Sequence, residues 1–257
     1  MIRLTPERFM MIEDRALYGF VERVVDALPD HVGPLVGHWP RPVLFAASQE
    51  AVTRAERYNL QTERELFHYV QLAVMLGGAF DTDPGLPWAR DILRDNSYLD
   101  GAEKLDDLWN TAMDYLDEVF GTEAGCFSAT AFDAYRARRP LPDAIGGSNA
   151  AALDDLKTIW PAKAALLPFD VLKAGVAAAS DRAAAWELDQ TAQWRFCRIG
   201  FLLGYAFDAD PLHDWAAQAL SGSGSSADRM ARVEAAFETS VIDPALDALA
   251  TEQEKEG

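Results

Sequence analysis

Cysteine occurs only twice in these 257 residues and histidine four times, and no apolar run approaches the ~20 residues that a bilayer-spanning helix requires. Two thiols are too few for a disulfide framework, and Cys197, between Phe196 and Arg198 in an apolar stretch, reads as reduced and buried. Among His31, His38, His68 and His213 no pair has the i, i+4 spacing of a helical zinc site, and neither Cys126 nor Cys197 adjoins a histidine. Basic residues are scarce as well: 23 Lys and Arg face 41 Asp and Glu, a net charge of −18. Such a field repels nucleic-acid phosphate and anionic lipid and favours encounter with a cationic partner. The opening MIRLTPERFMMIEDR has no apolar signal-peptide core, so a cytoplasmic location is expected, without membrane insertion. No Gly-x-Ser-x-Gly elbow and no Gly-rich loop followed by Lys-Ser/Thr is present. The expectation is a protein without catalytic residues, metal or cofactor.

Hydrophobic side chains, by contrast, are plentiful: they make up 49% of the chain, including seven Trp and thirteen Phe. Their arrangement contains a repeat. Leu76 to Leu93, LGGAFDTDPGLPWARDIL, recurs without a gap as Leu203 to Leu220, LGYAFDADPLHDWAAQAL, with ten of eighteen positions identical. Alternating strand patterns and Asn-Gly hairpin signals are missing, and apolar residues fall at helical spacing, as at Leu17, Phe20, Val21, Val24 and Leu28. The expected fold is therefore all-α: two tandem, internally repeated helical-bundle modules of about five helices each. The first spans residues 1–121 and the second 149–250, joined by a linker with a short helix at 122–148 and followed by a flexible tail at 251–257. Thr62 and Glu65 form a capping box that opens a third helix, the Pro-rich stretch Pro29 to Pro42 reads as a loop, and a second helix begins at Ser48.

The motif Phe-Asp-x-Asp-Pro, at Phe80 to Pro84 and Phe207 to Pro211, admits two interpretations. Two carboxylates two residues apart can hold a hard cation or act as acid and base, so Asp81, Asp83, Asp208 and Asp210, with His213 nearby, would serve a metal-dependent helical enzyme if they met in one cleft. The architectural interpretation has Asp83 and Asp210 capping the following helix with Pro84 and Pro211 at its first position, while Phe80 and Phe207 close the preceding core. Trp88 and Trp215 then pack back over the two Phe, and Gly77 and Gly204 admit a neighbouring helix. This second interpretation is preferred, with His213 a surface residue. On the fifth helix Glu103, Asp107, Asp114 and Glu118 line the face opposite the apolar one, a candidate surface for a basic partner. Arg136, Arg138 and Arg139 are a local basic cluster, expected to clamp onto acidic surface.

In order along the chain stand Arg54-Ala55-x-x-Tyr58, Glu63-x-Glu65, Leu76-Gly77-x-x-Phe80-Asp81-x-Asp83-Pro84 and Trp88. With these residues the chain resembles a group of small helical proteins encoded beside type VI secretion effector genes in Gram-negative bacteria. The second copy keeps Leu203-Gly204-x-x-Phe207-Asp208-x-Asp210-Pro211 and Trp215, with Ala185 opposite Tyr58. What the resemblance implies is a supporting role: an immunity protein that neutralises a secreted antibacterial toxin, or a chaperone or adaptor that escorts one.

Overall fold

Helical spacing of apolar residues becomes helix throughout. The computed structural model describes residues 6–37, 39–98, 100–121, 128–138 and 149–247, and every regular element among them is helical. His38, Cys126, Arg139, the expected tail and much of the expected linker lie outside the described residues.

Helix α1 (Pro6–Val32) carries Pro29 inside its last turn, so the helix does not stop at Leu28. A 3-10 turn, Gly33–Val36, follows, and α2 (Arg41–Ala55) begins seven residues before Ser48. The expected loop is shorter because Pro40 is the N-cap and Pro42 lies in the first turn, where a missing N–H costs no helical hydrogen bond. After the left-handed Asn59 (φ 61°), α3 (Glu63–Leu76) opens on the expected capping box. Thr62 Oγ1 accepts from Glu65 N, and Glu65 Oε2 accepts from Thr62 N. Next come α4 (Pro87–Arg94) and α5 (Gly101–Phe120), the latter capped by Asp100, which accepts from Glu103 N at 2.9 Å, and ended by Gly121. A short α6 (Ala129–Ala137) precedes the second half, which comprises α7 (Asn149–Ile159), α8 (Pro161–Leu166) and α9 (Phe169–Ala185), then α10 (Gln190–Leu203), α11 (Asp214–Ser221) and α12 (Ser226–Phe237). A π turn, Glu238–Ile242, prolongs α12.

Residues 41–94 and 169–221 run through the same succession. In each, a long helix ends near a left-handed residue, Asn59 or Glu187, and an N-capped fourteen-residue helix follows. That helix stops at a glycine with φ near 100°, Gly77 or Gly204, before a 3-10 turn and an eight-residue helix. The apolar side chains form two clusters. One gathers Val24, Leu28, Val52, Tyr69, Leu72, Phe80 and Leu108, the other Leu156, Phe196, Ile199, Phe207, Val233 and Phe237. Each draws on the other side of the divide: Leu212 lies in the first, and Val119, on α5, lies in the second with Tyr115 and Phe120 packed against it. The linker arginines tie α6 down as the charge pattern implied, with Arg136 paired to Glu238 and Asp243 and Arg138 to Asp155. No helix among the described residues is long and apolar enough to cross a membrane.

Candidate functional site

The four carboxylates of the Phe-Asp-x-Asp-Pro motifs separate into two kinds. Asp81, fully buried, receives Arg54 Nε at 3.0 Å and the Tyr58 hydroxyl at 2.8 Å. Asp208 receives Arg182 Nε at 2.6 Å and Trp186 Nε1 at 2.8 Å. Arg182-Ala183-x-x-Trp186 thus stands where the first half has Arg54-Ala55-x-x-Tyr58. The counterpart of Tyr58 is Trp186 rather than Ala185, because one residue, Asp189, separates Leu188 from α10 where Gln61 and Thr62 separate Leu60 from α3. Burial, followed by the hydrogen bond to Asp81, pushes the Tyr58 phenol up to about 12, so it remains a donor at neutral pH.

Asp83 and Asp210 do something local spacing does not disclose. Each accepts an N–H from its own turn: Gly85 N to Asp83 Oδ1 at 2.6 Å, and Leu212 N to Asp210 Oδ1 at 2.9 Å. Each also accepts one from the other half, Tyr205 N to Asp83 Oδ2 at 2.9 Å and Gly78 N to Asp210 Oδ2 at 2.6 Å. The exchange is reciprocal, since Gly78 and Tyr205 both follow the glycine that ends α3 or α10. Gly77 and Gly204 permit it by admitting the opposite turn rather than a helix. A Cβ on Gly77 would meet the Leu203 carbonyl oxygen at 3.0 Å, and one on Gly204 the Asp83 carboxylate at 3.2 Å.

Asp83 does not cap α4 as expected. That helix starts at Pro87 behind Leu86, and Asp83-Pro84 instead makes a turn closed by Leu86 N to the Asp83 carbonyl at 3.0 Å. Asp210 does cap the 3-10 turn Pro211–His213. Phe80 and Phe207 are buried as expected. Trp215 packs on Phe207 with centroids 6.2 Å apart, but Trp88 packs on Tyr115 at 5.8 Å while Phe80 faces Tyr69. Asp83 and Asp210 share a crevice with Gly77 and Gly204, and every one of their carboxylate oxygens already accepts a backbone amide. Asp81 and Asp208 are held by arginine. Among the described residues no group of three or more His, Cys, Asp or Glu is placed to hold a metal ion.

Glu103, Asp107, Asp114 and Glu118 all stand exposed along α5. Asp107 accepts the Tyr98 hydroxyl, and the adjacent Asp106 pairs with Arg64 at 3.4 Å. Asp114 and Glu118 have no ion pair among the described residues.

Between the halves lies a cleft of about 60 Å³ that the sequence did not reveal. Its walls come from the ends of α3, α5 and α10 together with α6, α8 and the turn Pro211–His213, and they are mostly apolar. Lys163 enters it from α8. Its ammonium donates to the Phe201 carbonyl at 2.7 Å and lies 4.9 Å from the centroid of Trp160 and 5.2 Å from that of Phe201. Burial pulls this amine down to about 8, with the charge of Asp83 acting in the opposite direction. His213, expected at the surface, is only 4% exposed and lies between Trp39 and Trp215. Burial lowers its pKa, which keeps the imidazole neutral, and its Nδ1 has no hydrogen-bond partner among the described residues. The repeat held the signal for this, because the corresponding residue of the first half is Leu86, a core side chain. Cys197 is buried as expected, which pushes its thiol up.

No known protein family matches this sequence, and no curated protein or solved structure matches it either.

Proposed function

We propose that this chain is an internally duplicated, acidic, non-enzymatic binding protein whose partner is a cationic protein, and that the partner is a secreted antibacterial effector of the type VI kind that it neutralises as an immunity protein. The two modules are residues 1–121 and 149–250, and they work in the cytoplasm. The observation that carries the reading is the outer face of α5, where Glu103, Asp107, Asp114 and Glu118 are all exposed on a chain of net charge −18. A row of exposed carboxylates on a chain of that net charge sets up a field that steers a basic surface into contact and sets its register. The duplicated motifs support the same reading, because Asp81, Asp83, Asp208 and Asp210 are each consumed by arginine, aromatic N–H or O–H, or backbone amide donors. Escort of an effector, as a chaperone or adaptor does, is the alternative within the same class.

The test is a pull-down of the product of the neighbouring gene, paired with a protection assay in cells expressing that product. Binding and protection, both weakened by the combined reversal Glu103→Lys, Asp107→Lys, Asp114→Lys and Glu118→Lys, are expected. Binding without protection favours the chaperone. Neither binding nor protection removes the immunity reading.

A further inference from the structure

Helix α9 repeats the register of α2 but lacks its cover. Pro40 and Pro168 are the two N-caps, and Leu44, Ala47, Ala51 and Ala55 of α2 are buried just as Leu172, Gly175, Ala179 and Ala183 of α9 are. The stripe beside that one differs. In α2 it holds Arg41, Phe45, Ser48 and Val52 and meets α1: Phe45 packs on Tyr18 with centroids 4.9 Å apart, Arg41 pairs with Asp26 and with Glu22 at 3.8 Å, and Ser48 and Val52 are buried. The same stripe of α9 holds Phe169, Lys173, Val176 and Ser180. There Phe169 is 66% exposed, Lys173 is exposed, and Val176 and Ser180 are only half-buried. Helices α7 and α8, which precede α9 as α1 precedes α2, pack on α6, α10 and α5 instead, and α10 is the main neighbour of α9. Leu166 adds a second exposed large apolar side chain at the same end. Exposed apolar side chains gathered in one place are a mark of interaction sites.

We propose that this face of α9 is where two copies of the chain associate, with the two α9 helices crossing antiparallel about a two-fold axis at Ala177. The face is complementary to its own inverse. Lys173 and Asp181 stand four residues either side of Ala177, both are exposed, and neither has an ion pair among the described residues. An antiparallel pair sets each lysine against the aspartate of the other copy, whereas a parallel pair would set like charges opposite each other. Phe169, eight residues from the axis, then meets the exposed Ala185 of the other copy. Lys173, Ala177 and Asp181 form an i, i+4 row, the ridge that interdigitates in the commonest helix packing, and the small Ala177 at its centre keeps the crossing close. The net charge of −18 on each copy opposes association. At physiological salt that repulsion is screened over ~8 Å, while the lysine–aspartate contacts act at close range. The pairing does not depend on the α5 face or on a partner there.

Sedimentation velocity of the full chain over about 1–300 µM is the test, and a dimer half-dissociated at roughly 10–100 µM is expected, because one helix on one helix is at the small end of specific interfaces. Phe169→Glu should leave a monomer across that range. Lys173→Glu, which sets carboxylates against Asp181, should weaken the dimer about tenfold. The double exchange Lys173→Glu with Asp181→Lys should bring it back. All three positions are exposed, and circular dichroism checks that the variants fold. Where a charge variant does not fold, a cysteine pair decides: in a Cys126→Ser background, Ala177→Cys should cross-link into a dimer on mild oxidation faster than Ala185→Cys, since only the former stands on the axis. The proposal is overturned by a monomer at every concentration, by a dimer that survives Phe169→Glu, by a double exchange no tighter than Lys173→Glu alone, or by Ala185→Cys cross-linking as fast as Ala177→Cys.

Discussion

Residues 41–94 and 169–221 meet the same packing problem, and the positions where they agree differ in kind from those where they part. Arg54, Tyr58 and Asp81 in the first, and Arg182, Trp186 and Asp208 in the second, tie the end of one long helix to the 3-10 turn after the next. Asp83 and Asp210 then tie each half to the other. Where the halves part, two differences fall close to that junction. Tyr205 stands where the first half has Gly78, and its ring lies over Gly175, where any Cβ would sit 2.3 Å from it. His213 replaces Leu86. What both halves keep ties the fold together, whereas His213, which only the second half has, lines the cleft beside Lys163. The recurrence of the Phe-Asp-x-Asp-Pro stretch makes this separation visible within one chain.

If the shared lock is structural, breaking it should cost most where water is least able to help. The Asp81 side chain is 0% exposed and its Arg54 14%, against 5% for Asp208 and 34% for Arg182. Arg54→Met strands a buried carboxylate and is expected to lose about 3–5 kcal/mol. Arg182→Met, at the wetter pair, is expected to lose about half as much. Urea unfolding followed by circular dichroism compares the two. Equal losses would mean that solvent access does not distinguish the halves.

The next largest effect falls on the glycines of the reciprocal exchange. Gly77 and Gly204 have φ of 100° and 103°, a region that a Cβ disfavours, and alanine at either should cost about 1–3 kcal/mol. Gly77→Ala should be the worse, because its Cβ would press on the Leu203 backbone oxygen, whereas Gly204→Ala presses on the Asp83 side chain. Thermal melting of the two variants checks the order. A Gly204→Ala protein less stable than Gly77→Ala would show that the Asp83 carboxylate yields less readily than the opposite main chain.

How far the sequence could be read follows from the range of the forces involved. The Thr62–Glu65 capping box, the α5 cap at Asp100 and its stop at Gly121 are local events between residues a few positions apart, and each appears where spacing placed it. The start of α2 was misjudged because Pro40 and Pro42 signal a loop and a helix N-terminus with equal force. The Arg-Ala-x-x-aromatic match was hidden by the one-residue difference in the connection to the next helix. The cross-half bonds of Asp83 and Asp210 leave no local trace, because nothing within a few residues of an aspartate records which distant N–H faces it. The cleft was out of reach for the same reason. Lys163 reads as an ordinary solvated lysine on a short helix until α10 lays the Phe201 carbonyl beside it.

The smallest expected effect is also the one that singles out the second half, since only there does an amine stand in the cleft. Burial lowers the Lys163 pKa to about 8 in the folded chain from an ordinary 10.5, so between those values the unfolded chain binds a proton that the folded chain has released. Stability from this group therefore rises with pH across that window, and the cost of burying the ammonium is fully present only below pH 8. Other groups pull the opposite way: the Cys197 thiol and the Tyr58 phenol, both pushed up, favour the folded state less as the pH climbs above their ordinary values. They are common to the native chain and Lys163→Met, so the difference between the two isolates the lysine. Measured by urea unfolding at pH 7.5 and pH 10, the native chain should gain about 1 kcal/mol relative to Lys163→Met, less than a full protonation step because the side chain is partly exposed. A difference that stays flat or falls over that interval would mean that the ammonium is solvated, and the contrast between the halves would then reduce to shape alone.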